Sequence, residues 1–198
     1  MKIFRLVVMA IFLGVLTVSS TALAFENYLN GDKNYISYGG VGMGAQGFID
    51  RSTLKVELYE PPIYIISVDT FLWHPDFDKG KSVNELGRKH HYRFKYDYAN
   101  RKMYEYRPGG SGAKGAKIRY EQYCKDMKIQ PDATIDWSGD WAYIDPHVFY
   151  GEGSQPAAVG EIAFALAYKL KFYGLKGYNG SDFYDAVRGV VGEVKDGI

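Results

Sequence analysis

The stretch HHYRFKYDYANRKMYEY, residues 90–106, is where the fold of this chain is decided. Tyr92, Phe94, Tyr96 and Tyr98 share one parity and Arg93, Lys95 and Asp97 the other, with Tyr104 and Tyr106 continuing after Ala99-Asn100-Arg101. A period of two over this length predicts two half-buried strands. Alternation sends rings and cations to opposite faces, whereas a surface that stacks single-stranded bases needs both together. The stretch therefore argues for an aromatic core and against nucleic acid as a partner. If Tyr98 closes on Lys102 across a three-residue loop, Tyr96 faces Tyr104, Phe94 faces Tyr106, and Lys95 faces Glu105 on the reverse side. An even loop would send the second row of rings to the other face. The odd loop is the expectation, with the rings as cross-strand neighbours worth about 0.2–1 kcal/mol per pair.

Working outward, Ile63–Trp73 is apolar on both parities at its start, as in a central strand covered on both faces. Leu54, Val56 and Leu58 alternate with polar neighbours before it, and Pro61-Pro62 makes a hairpin or corner between the two. A first strand is expected at Tyr35–Tyr38. Next comes GGVGMGAQG, residues 39–47, in which Gly42, Gly44 and Gly47 formally match the dinucleotide fingerprint. That fingerprint needs a helix directly after the glycines to meet a pyrophosphate. A strand pattern follows instead, so the glycines are read as a flexible turn and no cofactor is expected.

Residues 74–87 read as a loop with one helical turn near Ser82; His74, Asp76 and Asp78 are metal-ligating types, but their spacing forms no recognised cage. No metal site is expected. Glycines make residues 108–117 a flexible loop by composition. A short helix is expected over 118–127, with Tyr120, Tyr123, Cys124 and Met127 on one side, and a last strand within 137–146. Val159, Ile162, Ala163, Leu166, Leu170 and Tyr173 mark one face of the clearest helix, with Glu161 in its first turn and Gly174 as its C-cap. Ser181 is placed to cap a final helix. The pattern predicts one α+β domain over residues 25–198: a mainly antiparallel twisted sheet of five to six strands packed on a C-terminal helix.

Lys2 and Arg5 precede an uncharged apolar run, Leu6–Val18, and the small-residue triplet Ala22-Leu23-Ala24. This reads as a signal peptide cleaved after Ala24. The run is short of the roughly 20 residues a bilayer span takes, so the expectation is a secreted or periplasmic protein without an integral membrane segment after cleavage. Cys124 is the only cysteine; it can form no intramolecular disulfide, and burial suits it. The remaining charges nearly balance, but residues 79–128 hold fourteen Lys/Arg against five Asp/Glu. The middle of the chain is basic and its ends acidic.

The order Phe48-Ile49-Asp50-x-Ser52, Tyr59-x-Pro61-Pro62-x-Tyr64, Arg93-Phe94-x-Tyr96-Asp97, Arg101-x-Met103-Tyr104, Trp141-x-Tyr143-Ile144-Asp145-Pro146 and Gly160-Glu161-Ile162-Ala163-Phe164 through Phe172-Tyr173-Gly174 resembles a family of small secreted proteins of anaerobic, outer-membrane-bearing Firmicutes. More distantly it is similar to the surface-adhesin E type of domain, from whose paired cysteines the single Cys124 departs. The resemblance implies a fold and a compartment; it implies no reaction. No catalytic constellation stands out either: Cys124 with His147 or His91 is the one thiol option, and Glu57, Asp69, Asp97 and Glu105 are strand carboxylates with nothing to distinguish one of them. The expected function is a non-catalytic interaction module. Its expected site is a basic sheet face of Arg93, Lys95 and Arg107 with nearby Arg88, Lys89 and His91, and its expected partner an anionic envelope polymer or acidic protein. The alternative is a secreted hydrolase of cell-wall or glycan substrates.

Overall fold

A computed structural model describes residues 26–87, 89–147, 155–176 and 182–197. The expected signal peptide, Arg88 and the expected cap Ser181 lie outside the described residues. Period-two segments become six strands: β1 (Tyr35–Gly42), β2 (Ala45–Glu60), β3 (Ile63–Trp73), β4 (Lys89–Asp97), β5 (Lys102–Tyr106) and β6 (Trp141–Ile144). They pair in chain order, every pair antiparallel, as a curled meander. Three helices accompany them: α1 (Ser111–Met127), α2 (Gln155–Tyr168) and α3 (Asp185–Val191). The fold is α+β, with β3 central as its double-sided apolar pattern predicts. Its burial on both faces comes at Ile66, Ser67 and Val68, past the half-buried Ile63–Ile65 start.

The glycines at 39–47 belong to the first hairpin, a correction to the flexible turn expected there. Gly42 and Gly44 take positive φ around Met43, where the chain reverses, and β2 begins at Ala45. Gly47 has a different reason to be glycine: a Cβ there would come within 2.0 Å of the Tyr38 ring, which lies across it. Further along β2, residues 51–54 face only Val68 of β3, between the pairs Asp50–Asp69 and Lys55–Ser67. Such a bulge bends its strand. The Thr53 hydroxyl bridges it, accepting from the Asp69 amide at 2.9 Å and donating to the Asp50 carbonyl at 2.7 Å.

The turn between β4 and β5 corrects the expected register. Phe94 faces Glu105, Lys95 faces Tyr104, Tyr96 faces Met103 and Asp97 faces Lys102, so the loop holds four residues, 98–101. Its cause is local: the Asp97 carboxylate accepts from the backbone N–H of Asn100 at 3.1 Å and from its side-chain amide at 2.8 Å, closing a turn one residue longer than expected. Tyr92, Phe94 and Tyr96 therefore point to one face, called inner below, and Tyr104 and Tyr106 to the outer one. Tyr104 is nevertheless buried, because α1 covers the outer face there: Tyr104, Tyr120, Cys124 and Ile135 form a separate apolar cluster. This helix takes in most of the 108–117 segment expected to be a flexible loop. Ala113 anchors its first turns by burial, so packing overrides the glycines' cost to the helix.

The inner face carries the main core. Tyr92, Phe94, Tyr96, Met103 and Ile144 pack with Val159, Ile162, Ala163 and Phe164 of α2, as the aromatic row of β4 predicts. Small residues let this helix approach closely. A Cβ on Gly160 would stand 2.2 Å from the Met103 sulfur, and the Tyr96 hydroxyl donates to the Gly160 carbonyl at 2.8 Å.

The helix stops at Tyr168, short of the expected Tyr173, because Lys169 adopts a left-handed conformation with φ 57°. The chain then turns back, with Leu170 bridging to Lys195. Glu161 lies beyond the first turn, where it was expected, and is fully buried. Its carboxylate accepts from the backbone amides of Phe172 and Tyr173 at 2.7 Å each, from Gly174 at 3.3 Å, and from the Tyr184 hydroxyl. Burial pushes the Glu161 carboxyl above its ordinary range, and the Tyr184 hydroxyl and these amides pull it partway back.

Because the folded value is raised, the folded state holds a proton that the unfolded state has released, and stability falls as pH rises through that window. Urea denaturation from about pH 4 upward is expected to show this decline in the parent and a flatter profile in Glu161→Gln. Glu161→Ala, which strands buried amides, is expected to lose at least about 3 kcal/mol; a loss under about 1 kcal/mol would contradict this account of residues 172–174.

Candidate binding face

On β4 the side chains of Lys89, His91, Arg93 and Lys95 fall on the outer face, as alternation requires. Arg107 does not join them. It folds onto Glu105, which shares the inner parity of Met103, and its Nε donates to that carboxylate at 2.8 Å. Glu105 is buried, so this cation is committed to a neighbour within the fold. The expected six-residue face is thus four residues on β4, with Arg107 turned away and Arg88 outside the described residues.

Three of the four lie beside a carboxylate. The His91 Nδ1 lies 2.5 Å from Asp69 of β3, and Arg93 Nε donates to Glu57 of β2 at 2.5 Å. Lys95 Nζ stands 3.8 Å from Asp136. Burial acts to raise the Glu57 carboxyl, but hydrogen bonds from Arg93 and Ser67 and the nearby cations outweigh it and hold it low. Asp136 is lowered chiefly by bonds from the Ser138 hydroxyl and amide, with Lys95 adding to them. Glu57 and Asp136 come from the acidic flanks of the sequence, so the fold brings those flanks against two cations of the basic third.

The loop parity adds aromatic rings to the same face. Tyr106 lies opposite Trp141, and the Arg93 guanidinium sits 5.4 Å from the centroid of each ring. Lys95 Nζ is 4.5 Å from the Tyr104 ring and 5.4 Å from that of Trp141. These are cation–π distances. Tyr106 is 36% exposed and the Arg93 side chain 35%. The guanidinium is held by one carboxylate and two rings, and its terminal nitrogens make no hydrogen bond among the described residues. Neither ring was expected here. An even loop was the signal that would have placed Tyr106 and Trp141 beside Arg93.

Elsewhere, Cys124 and Asp78 have structural partners. Cys124, on α1, is buried against the sheet, as expected. Asp78 accepts from the His74 amide at 2.9 Å and from Lys81 at 2.9 Å, which shapes the 74–81 loop. Among the described residues no group of His, Cys, Asp and Glu is placed to hold a metal ion. A cleft of about 420 Å³ opens where β2 bends, lined by Asn34, Arg51, Ser52, Leu54, Leu166 and Val191; its one ionisable lining group is Arg51, so no pair of carboxylates converges in it. Comparison with family models, with curated proteins and with solved structures finds no match to this chain.

The cover over Tyr104 is clamped by a second ion pair, which gives an acid-range test. Lys102 Nζ lies 3.0 Å from Asp132 and also bonds the Thr134 hydroxyl. Bonds from the Thr134 hydroxyl and amide, then from Lys102, lower the Asp132 carboxyl to about 2. A lowered folded value means that the stabilisation is present above the ordinary aspartate range and is lost as pH falls through about 2. Asp132→Asn is expected to unfold at lower urea than the parent at neutral pH and to converge with it near pH 2. A constant gap across that range would assign the loss to something other than this charge.

Proposed function

We propose that the chain is an extracytoplasmic, non-catalytic binding module, and that the outer face of β4–β6 takes an anionic group of an envelope polymer or acidic protein. The observation that carries this reading is Arg93: oriented by Glu57, flanked by Tyr106 and Trp141, and retaining outward N–H groups. Arg, Tyr and Trp are the residues that dominate binding hot spots, since a planar cation and rigid rings lose little freedom when a partner covers them. Lys89 and Lys95 on the same face favour an anionic partner. The leader-like N-terminus and the resemblance to small secreted proteins support the compartment.

Retention on immobilised heparin, used as an anionic polysaccharide probe, is the test. Binding is expected to weaken as salt rises. Arg93→Glu/Lys95→Glu, with its fold checked by circular dichroism, is expected to lose about tenfold or more, the scale of one charge-assisted hydrogen bond. Binding that is undiminished in high salt, or unchanged in this variant, would overturn the proposal.

A further inference from the structure

We infer that His74 is a pH switch in the 74–81 loop: the neutral imidazole holds the loop in its present form, and a protonated ring releases it at Asp76. The ring sits between two segments. Its Nε2 lies 2.8 Å from the Met43 carbonyl at the tip of the β1–β2 hairpin, and its Nδ1 lies 3.1 Å from the Asp76 amide nitrogen. Packing keeps it there. A Cβ on Gly44 would stand 3.2 Å from Nε2, and the centroid of the Phe77 ring is 4.6 Å from that of His74.

The two partners fix where the proton is. A carbonyl only accepts, so Nε2 carries hydrogen; a backbone N–H only donates, so Nδ1 offers its lone pair. One species satisfies both, the neutral Nε2–H tautomer. A second proton can enter only at Nδ1. It would then point at the Asp76 N–H, donor against donor, and that bond is lost, while the bond from Nε2–H to the Met43 carbonyl survives. The Asp76 carboxylate is at hand to accept the new proton, its Oδ2 standing 3.9 Å from Nδ1. Charging the ring therefore exchanges the amide of Asp76 for its carboxylate, and turns the peptide at 75–77 while the hairpin stays attached.

The surrounding charges confine the change to this segment. Besides Asp76, the charged groups of the loop are Asp78, Lys79 and Lys81; residues 42–46 of the hairpin and 71–73 of β3 carry none. The Asp78 carboxylate accepts from the His74 amide and from Lys81, at 2.9 Å each. Those bonds, Lys81 first, hold its carboxyl below the ordinary range, so Asp78 stays charged and anchors the start of the loop in both states. Phe77, 73% exposed, rides on the segment that turns, so the switch alters how the loop presents an aromatic ring. It is separate from the Arg93 face and does not depend on the function proposed for that face.

Nuclear magnetic resonance of isotope-labelled protein between about pH 8 and about pH 5.5, where ordinary carboxylates stay ionised and imidazoles titrate, tests this. At the upper end the His74 ring is expected to show the Nε2–H tautomer. As pH falls, the Asp76 and Phe77 amide resonances are expected to move on the same curve as the ring, and the Asp76 protection factor against hydrogen exchange to drop about fivefold, the loss of one hydrogen bond. His74→Gln, whose side-chain amide supplies one donor and one acceptor without titrating, is expected to abolish the pH dependence at Asp76. Asp76→Asn, which keeps the amide and removes the receiving charge, is expected to move the shared transition to lower pH. An Nδ1–H tautomer at the upper end, Asp76 resonances that do not follow the ring, a pH dependence that persists in His74→Gln, or a transition unmoved in Asp76→Asn would overturn the inference.

Discussion

A buried carboxylate organises the C-terminal half of this protein. Removing a carboxylate from water costs several kcal/mol unless hydrogen-bond donors replace the lost solvent. Around Glu161 the replacements are three consecutive backbone amides and one phenol. Those amides belong to residues 172–174, which follow the left-handed break at Lys169 and would otherwise lack partners in the core. One side chain thus holds the chain that returns after α2 and the Tyr184 hydroxyl just ahead of α3. The helix bearing it lies close because Gly160 and its alanines admit the Met103 sulfur and the Phe94 ring.

The sheet is covered differently on its two sides. The inner side holds one continuous core against α2. The outer side is divided into a patch around Phe48 and Phe71, a patch under α1, and between them a charged and aromatic strip. In that strip Glu57 and Asp136 face Arg93 and Lys95, two of the cations that the linear sequence concentrates in one third of the chain. Summed charge along a sequence therefore overstates the field at this surface. What the strip offers is orientation: a guanidinium with one fixed hydrogen bond and two flanking rings.

Much of this was legible in the residues themselves. The alternation in 90–98 identifies a strand and its buried side, the doubly apolar 63–68 segment identifies the central strand, and Ser82 with Glu85 forms the capped helical turn anticipated there. The misreadings have specific causes. A count of residues from Tyr98 to Lys102 cannot weigh Asp97 against its neighbours as a turn former, and the side of Tyr104 and Tyr106 hangs on that one residue. Gly109, Gly110, Gly112 and Gly115 suggest a mobile segment, yet Ala113 and Tyr120 commit residues 111–127 to a helix through contacts that have no local signature. Glu161 reads as a first-turn residue, whereas its backbone donors lie eleven to thirteen residues further on and the Tyr184 hydroxyl twenty-three.

The last strand is only four residues long, with Asp140 before it and Asp145-Pro146 after it. Among the described residues the meander does not close on itself, and such a sheet has two margins whose peptide groups can recruit strands from other molecules. On one margin Asn27 and Tyr28 already occupy part of β1, through the Ser37 amide and a bridge to Ile36. On the other, so short a strand between carboxylates and a proline gives an incoming chain little to pair with. Sheet-to-sheet polymerisation is disfavoured on both sides, which matters for a protein whose strands hold so many tyrosines.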